Sequence, residues 1–201
     1  MSHMAVEFPH APQRPIELLQ AELVHENQWW MIYFDHVTFP NGTDGRHLRL
    51  VTTSNKPGAV AVVVGRLAGS PHIAFVSQWR YAQQEVMWEL PRGFGDPQDT
   101  TPAESAAREV AEETGLTVTS TKRLGVLSAD SSIIAGGVEV FLVEAHGTIQ
   151  HDDEVSHLVW IPASFVLELC ASGALKDSFT LAAIALALAD PAVQPIFMKQ
   201  A

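Results

Sequence analysis

The stretch TPAESAAREVAEETGL, which begins at Thr101, constrains the fold of this chain more than any other. Thr101 has a side-chain oxygen suited to a helix cap, Pro102 suits the first helical position, and Glu104 completes a capping box. Gly115 suits the left-handed residue that follows a last turn. The spacing predicts a helix over residues 102–114. On a wheel of about 100° per residue, Ala103, Ala106, Val110 and Thr114 share one face, and Ala107 lies close to it. That face is apolar and small, so it can pack closely on a sheet. Glu109, Glu112 and Glu113 fall on the other side.

Sheet-forming segments flank this helix. Residues 22–53 contain Trp29, Trp30, Ile32, Tyr33, Phe34, Val37 and Phe39, with a hairpin-type turn at Asn41-Gly42. They predict a small antiparallel sheet, preceded by an extended arm over residues 5–20. Met1-Ser2-His3-Met4 reads as a cloning remnant ahead of a second start methionine. Strands are expected over residues 59–64, 73–78 and 86–90, then a Gly- and Pro-rich loop over 91–100. Further strands are expected over 124–127, 138–144 and 155–161. Pro162 opens a helix that stops near Gly173, and Asp177 or Ser178 opens the last one. Strands and helices mix without a strict βαβ alternation, which predicts an α+β fold or mixed-sheet sandwich. The expected division is an arm and β-subdomain over residues 5–56 and a main domain over 57–201.

The three glutamates conflict electrostatically. Glu109 stands four residues before Glu113 and three before Glu112, and like charges at those spacings cost about 0.2–0.5 kcal/mol per pair. Glu112 and Glu113 also occupy the last turn, where the macrodipole is negative. Two readings fit: a solvated acidic face, or a site for a divalent cation, whose preferred ligands are carboxylate oxygens. Arg108 is placed to tie a neighbouring carboxylate or the preceding loop.

Composition narrows the classes. A net charge of −11 over 201 residues argues against a protein that coats nucleic acid. Cys170 stands alone, so no disulfide can form within the chain, and a reducing cytoplasm fits. No apolar run reaches the roughly 18 residues of a membrane span; the longest, residues 181–189, predicts a buried helix. No charged segment followed by an apolar run opens the chain, so no signal peptide is expected. The histidines show no metal-ligand spacing, and His151 and His157 read as loop and strand surface.

Residues 93–116 resemble the signature of the Nudix hydrolases. That signature is a glycine, five residues, a glutamate, seven residues, then Arg-Glu-apolar-x-Glu-Glu-x-Gly-apolar. Its second half is complete in Arg108, Glu109, Val110, Glu112, Glu113, Gly115 and Leu116. The flanks SQWRYAQQEVMWELPRG, VEVFLVEA and HDDEVSHLVWIP resemble strands of the ADP-ribose pyrophosphatase-like branch, and the likeness runs over residues 58–189. The first half departs from the pattern. Counting forward from Gly93, the glutamate position falls on Asp99; counting back from Arg108, it falls on Thr100. The loop is one residue longer, and Asp99 is the residue that would stand in. The proline that many ADP-ribose hydrolases carry downstream of the signature has no counterpart near Ser131.

The resemblance implies a Nudix-type mixed sheet sandwiched between helices, with an N-terminal sheet used to form a homodimer. It implies hydrolysis of a nucleoside diphosphate linked to another moiety, with Mg²⁺ as cofactor and Mn²⁺ as the alternative. ADP-ribose or a related nucleotide sugar is the first substrate class. Dinucleoside polyphosphates, NADH and oxidised nucleotides are others, and a non-catalytic nucleotide sensor of the same fold is the reading from a different class. Carried onto this chain, Glu109 and Glu113 are the main metal ligands. Glu112 is a ligand or water-mediated partner, and the backbone carbonyl of Arg92 joins them. Arg108, Gly93 and Gly115 give structural support. The general base comes from the loop before the late strand, with Glu154 first and Asp153 second; a plain acidic turn is the other reading. Arg80 is a phosphate ligand or the partner of Glu85 or Glu89. Trp29, Trp30 and Trp88 are core residues or a surface for stacking a base.

Overall fold

A computed structural model describes residues 15–147 and 155–198. The chain forms two compact units, one ending at Thr53 and the other beginning at Ser54.

The first unit is an antiparallel sheet of β1 (Glu17–Gln20), β2 (Leu23–Glu26), β3 (Trp30–Thr38) and β4 (Asp44–Thr52). β4 pairs with β3 along its whole length, from Trp30 opposite Thr52 to Thr38 opposite Asp44. β1 and β2 lie in tandem on the other edge of β3, beside its C-terminal and N-terminal halves. A strand therefore forms within the stretch expected to be an extended arm. Its register shifts at both β1 and β2, and such irregular pairing leaves no clean period in the sequence. Gly42, at φ +84°, makes the expected turn.

The second unit is built on a seven-stranded mixed sheet. Its strands are β5 (Gly58–Leu67), β6 (Ser70–Arg80), β7 (Glu85–Glu89), β8 (Arg92–Gly93), β9 (Thr117–Leu127), β10 (Val138–His146) and β11 (Val155–Pro162). The main path runs β11-β6-β5-β10-β9. Among the described strands of this sheet, β5 and β10 pair in parallel and the other pairs are antiparallel. β5 and β6 pair only beside their turn, from Val64 opposite Ile73 to Leu67 opposite Ser70. Beyond it β7 pairs with β6 and β8 pairs with β5. The sheet thus splits, and β7–β8 enter the split carrying Glu89 to Gly93.

Alternation along β5 divides the core. Val60 and Val62 face a cluster with Ile73, Phe75, Leu90 and α3 (Ser178–Ala189). Ala59, Ala61 and Val63 face α1 (Pro102–Thr114), meeting Ala74, Ala106 and Val110. Alanine on both sides of the second layer lets α1 lie close to the sheet. This is the expected α+β sandwich of a mixed sheet between helices.

The α1 caps follow the sequence closely. The Thr101 hydroxyl accepts the Glu104 N–H, and Gly115 takes φ +70°. The Glu104 carboxylate accepts from the N–H and hydroxyl of Thr100, with the N–H of Thr101 as a weaker partner, so the capping box reaches one residue further back than expected. Two other boundaries differ. β9 begins at Thr117, well before the expected residue 124, because it is an edge strand whose polar outer face hides its period. The segment after Pro162 starts as a 3₁₀ turn, Ala163–Phe165, before α2 (Val166–Ala171). α3 is capped by Asp177 as expected.

Candidate active site

The split in the sheet brings β6, β8 and α1 together around the glutamates. Glu113 is 5% exposed, which corrects the wheel's placement of it beside Glu109 and Glu112 on the solvent side. It follows Val110 by three and Ala106 by seven, so it continues their buried stripe. Its Oε1 accepts from Gln78 Nε2 at 2.6 Å, and its Oε2 accepts the Arg92 N–H at 3.2 Å. Burial, joined by the neighbouring Glu109 carboxylate, pushes Glu113 up to about 8 against those two hydrogen bonds.

Glu109 lies one turn earlier, against β8. A Cβ added at Gly93 would stand 2.2 Å from the Glu109 Cδ, so only glycine lets the carboxylate rest on the strand backbone. Burial raises the Glu109 pKa, and Arg108 opposes the rise. Glu112 is the exposed member, at 52%. Arg108 Nη1 donates to both Glu109 and Glu112 at 2.8 Å, which takes up part of the conflict among the acids. Its Nη2 donates to the Phe94 carbonyl at 2.9 Å and to Asp99 Oδ2 at 3.1 Å.

Asp99 thus ties the loop before α1 to Arg108. Its Oδ2 also accepts from Ser105 Oγ at 2.7 Å and from the Asp96 N–H at 3.2 Å. Burial works to raise its pKa, but the hydrogen bonds from Ser105 and Arg108 outweigh it and the net shift is downward. The side chain is one methylene shorter than glutamate, and the loop is one residue longer. We expect Asp99→Ala to cost about 1–3 kcal/mol, because it strands several partly buried donors. Chemical denaturation would measure this, and a loss within experimental error would refute the brace.

Next to these acids lies a second network. Glu89, 1% exposed, takes Arg80 Nε at 2.8 Å on Oε1, and both Arg80 Nη2 and Arg92 Nη2 on Oε2, the latter at 2.8 Å. Arg92 Nη2 also reaches Asp177 Oδ1 at 3.2 Å, and its guanidinium lies 4.6 Å from the Phe179 ring centroid. Asp177 Oδ2 accepts from the N–H and hydroxyl of Thr180, both at 2.8 Å, and the Thr180 hydroxyl accepts the Leu90 N–H at 3.0 Å. The wedge strands are thereby fastened to β6 and α3. Of the two partners expected for Arg80, Glu89 is the one found; Glu85 pairs with Lys176.

The remaining expected residues fall as follows. Asp153 and Glu154 lie outside the described residues, as does His151; the chain enters β11 at Val155, whose register partner is Gln78. Trp88 packs against the core, and Trp29 is exposed. Three residues escaped the sequence reading: Gln78, Glu89 as a doubly paired anchor, and Asp177 as more than a cap. For Gln78 there was a signal, a polar residue closing the buried run IAFVS.

The donor set suits a hard divalent cation in kind, since Glu109, Glu112 and Glu113 offer only oxygen. A buried and a half-buried carboxylate, both with raised pKa values, are also what a cation would relieve. Among the described residues, no three His, Cys, Asp or Glu side chains converge as they do around a bound ion. Here Arg108 turns Glu109 and Glu112 toward itself. Among the described residues, no helix is long and apolar enough to cross a membrane.

The chain is 26% identical over 181 residues to an ADP-ribose pyrophosphatase of Mycobacterium tuberculosis, covering 86% of this chain and 83% of that protein. It is 34% identical over 110 residues to an 8-oxo-(d)GTP phosphatase of Mycolicibacterium smegmatis, covering 52% of this chain and 32% of the other. It is 25% identical over 161 residues to a CMP-5'-(N-acetyl-N-hydroxy-3-aminopropyl)phosphonate hydrolase of Streptomyces rubellomurinus, covering 79% and 75%. A crystal structure of an ADP compounds hydrolase superposes with a TM-score of 0.70 at 17% identity, covering 88% of this chain and 94% of that one. The NUDIX domain model matches residues 55–177, more than half of the chain, and spans β5, the split, α1 and the strands after it. A glycine pressed on Glu109, a buried Glu113 and an Arg108 brace thus stand inside that match, and the chain belongs to the Nudix family.

Proposed function

We propose that this protein hydrolyses a nucleoside diphosphate linked to another moiety, with ADP-ribose or a related nucleotide sugar as the substrate. The products are a nucleoside monophosphate and a phosphorylated remainder. The observation that carries this reading is the pair Glu109 and Glu113, held on successive turns of α1 against β8 and β6. The likeness to an ADP-ribose pyrophosphatase over 86% of the chain supports the substrate class. The local likeness to an 8-oxo-(d)GTP phosphatase favours oxidised nucleotides as the second substrate class.

The cofactor in this reading is Mg²⁺, with Mn²⁺ able to replace it. Glu109 and Glu113 hold the cations, with Glu112 and the Arg92 carbonyl in support. Bound there, they neutralise the diphosphate and make a water easier to deprotonate. Glu154, or Asp153 in its place, takes the proton from the attacking water. Arg108 keeps the loop of residues 93–101 on α1. Arg80, 30% exposed, uses its remaining donor capacity on a phosphate while Glu89 holds its direction. The exposed apolar residues of β1 and β2, Leu18, Leu19, Leu23 and Val24, suit burial against a second copy, and a homodimer is part of the proposal.

Gly93→Ala is expected to reduce turnover by about 10²-fold or more, since the added methyl must displace Glu109 by roughly an ångström. Steady-state kinetics on a folded variant would check it, and wild-type turnover would show that the close approach is unimportant. The substrate reading is tested by a panel of nucleoside-diphosphate-X compounds with Mg²⁺, Mn²⁺ or chelator, scoring released monophosphate. Preference for ADP-ribose or a nucleotide sugar supports it. Preference for an oxidised nucleoside triphosphate favours the second class, and no metal-dependent release sinks both.

A further inference from the structure

We propose that Gln78 is a positioning residue that orients the Glu113 carboxylate for a divalent cation without neutralising it. This rests on the metal-dependent reading above and deepens it. The Gln78 side chain is 4% exposed and closes the buried run of β6, so its amide is held by packing as well as by its hydrogen bond. It donates to one oxygen of Glu113 at 2.6 Å, while the Arg92 N–H donates to the other at 3.2 Å. Two donors on two different oxygens fix both the position and the plane of a carboxylate.

The chemistry of the two donors matters. A carboxylate offers about four lone-pair sites, and this arrangement uses two of them. Both donors are uncharged amides. An Arg or Lys at position 78 would satisfy Glu113 with a charge of its own and compete with any cation. The chain contrasts the two modes within one turn of α1: Arg108, a full cation, ties Glu109 and Glu112, whereas Glu113 receives only neutral donors. Glu113 therefore has a fixed direction and no bonded counter-charge to compete with a cation. Partners that orient a metal ligand from behind affect metal affinity by about 10–100-fold.

The test is a Mn²⁺ titration of the full chain, with free Mn²⁺ read by electron paramagnetic resonance, alongside the Mn²⁺ concentration that half-activates hydrolysis. Gln78→Met keeps the volume and removes the donor. We expect it to weaken Mn²⁺ binding by about 10–100-fold and to raise the half-activating concentration by the same factor, with turnover at saturating Mn²⁺ much less affected. Gln78→Asn cannot overpack the site and withdraws the amide by one methylene, so it must show the same shift if the Met variant does not fold. Gln78→His, which returns an N–H near the original nitrogen, should recover most of the affinity. Mn²⁺ binding within about twofold of wild type in a folded Met or Asn variant would overturn the proposal, as would a wild-type chain that binds no Mn²⁺. A wild type that binds Mn²⁺ but hydrolyses nothing would refute the enzymatic reading alone, and the affinity series would still decide the role of Gln78.

Discussion

Replacing Glu113 by Gln is expected to lower turnover by about 10³-fold while leaving the fold intact. Cation-mediated stabilisation of a reacting phosphoryl group is worth several kcal/mol, and each 1.36 kcal/mol is tenfold in rate. The same replacement removes a group that burial makes costly to ionise, so it carries an opposite signature in stability. Glu113 is pushed up to about 8 by burial in the folded chain, from the ordinary 4.5. A raised carboxyl binds its proton more tightly when folded. Its stabilising effect is thus fully present below about pH 4.5 and is lost as pH rises toward 8. With chelator present, the wild type should lose stability against Glu113→Gln across that window, by at most about 1.4 kcal/mol per pH unit. Denaturant titrations of both proteins between pH 5 and pH 8 would show the difference. Parallel curves would mean that Glu113 is not the buried carboxyl described here.

The largest expected effect on stability is at Glu89, not at the glutamates of α1. Glu89 is buried and holds two guanidinium groups, and one of them continues to Asp177 and the cap of α3. Taking away the central acid leaves two arginines short of a counter-charge inside the split sheet. Breaking a buried pair in this way costs about 3–5 kcal/mol. For a chain of this size, at about 2–4 °C per kcal/mol, Glu89→Ala should lower the melting temperature by roughly 6–20 °C. Turnover at low temperature should also fall, because Arg80 and the Arg92 backbone lose their anchor. A change of less than about 1 kcal/mol would show that Arg80 and Arg92 find other partners.

The parts of this molecule that could be read in advance are those decided by neighbours in sequence. α1 was legible because Thr101, Pro102 and Gly115 act within a turn of the residues they cap. The glutamates were legible because a helix fixes their spacing. Asp99 could be proposed by counting, but its role could not, since the Ser105 and Arg108 bonds depend on how the longer loop closes. The burial of Glu113 was misjudged for a tertiary reason. An acid near a helix end reads as solvated unless a wedge of sheet is known to cover it. Gln78 and Asp177 lie far from α1 in sequence and reach the site through the split of β5 from β6 and the cap of α3. The tandem pairing of β1 and β2 on β3 was hidden by its register shifts.

In the proposed function, the acids of α1 serve a diphosphate bond through divalent cations. Its most direct test is incubation of the full chain with ADP-ribose and Mg²⁺, with AMP and ribose 5-phosphate quantified together. Equal amounts of the two are expected, none with chelator, and almost none from Glu113→Gln. Equal product yields from wild type and from the folded Glu113→Gln variant would contradict it.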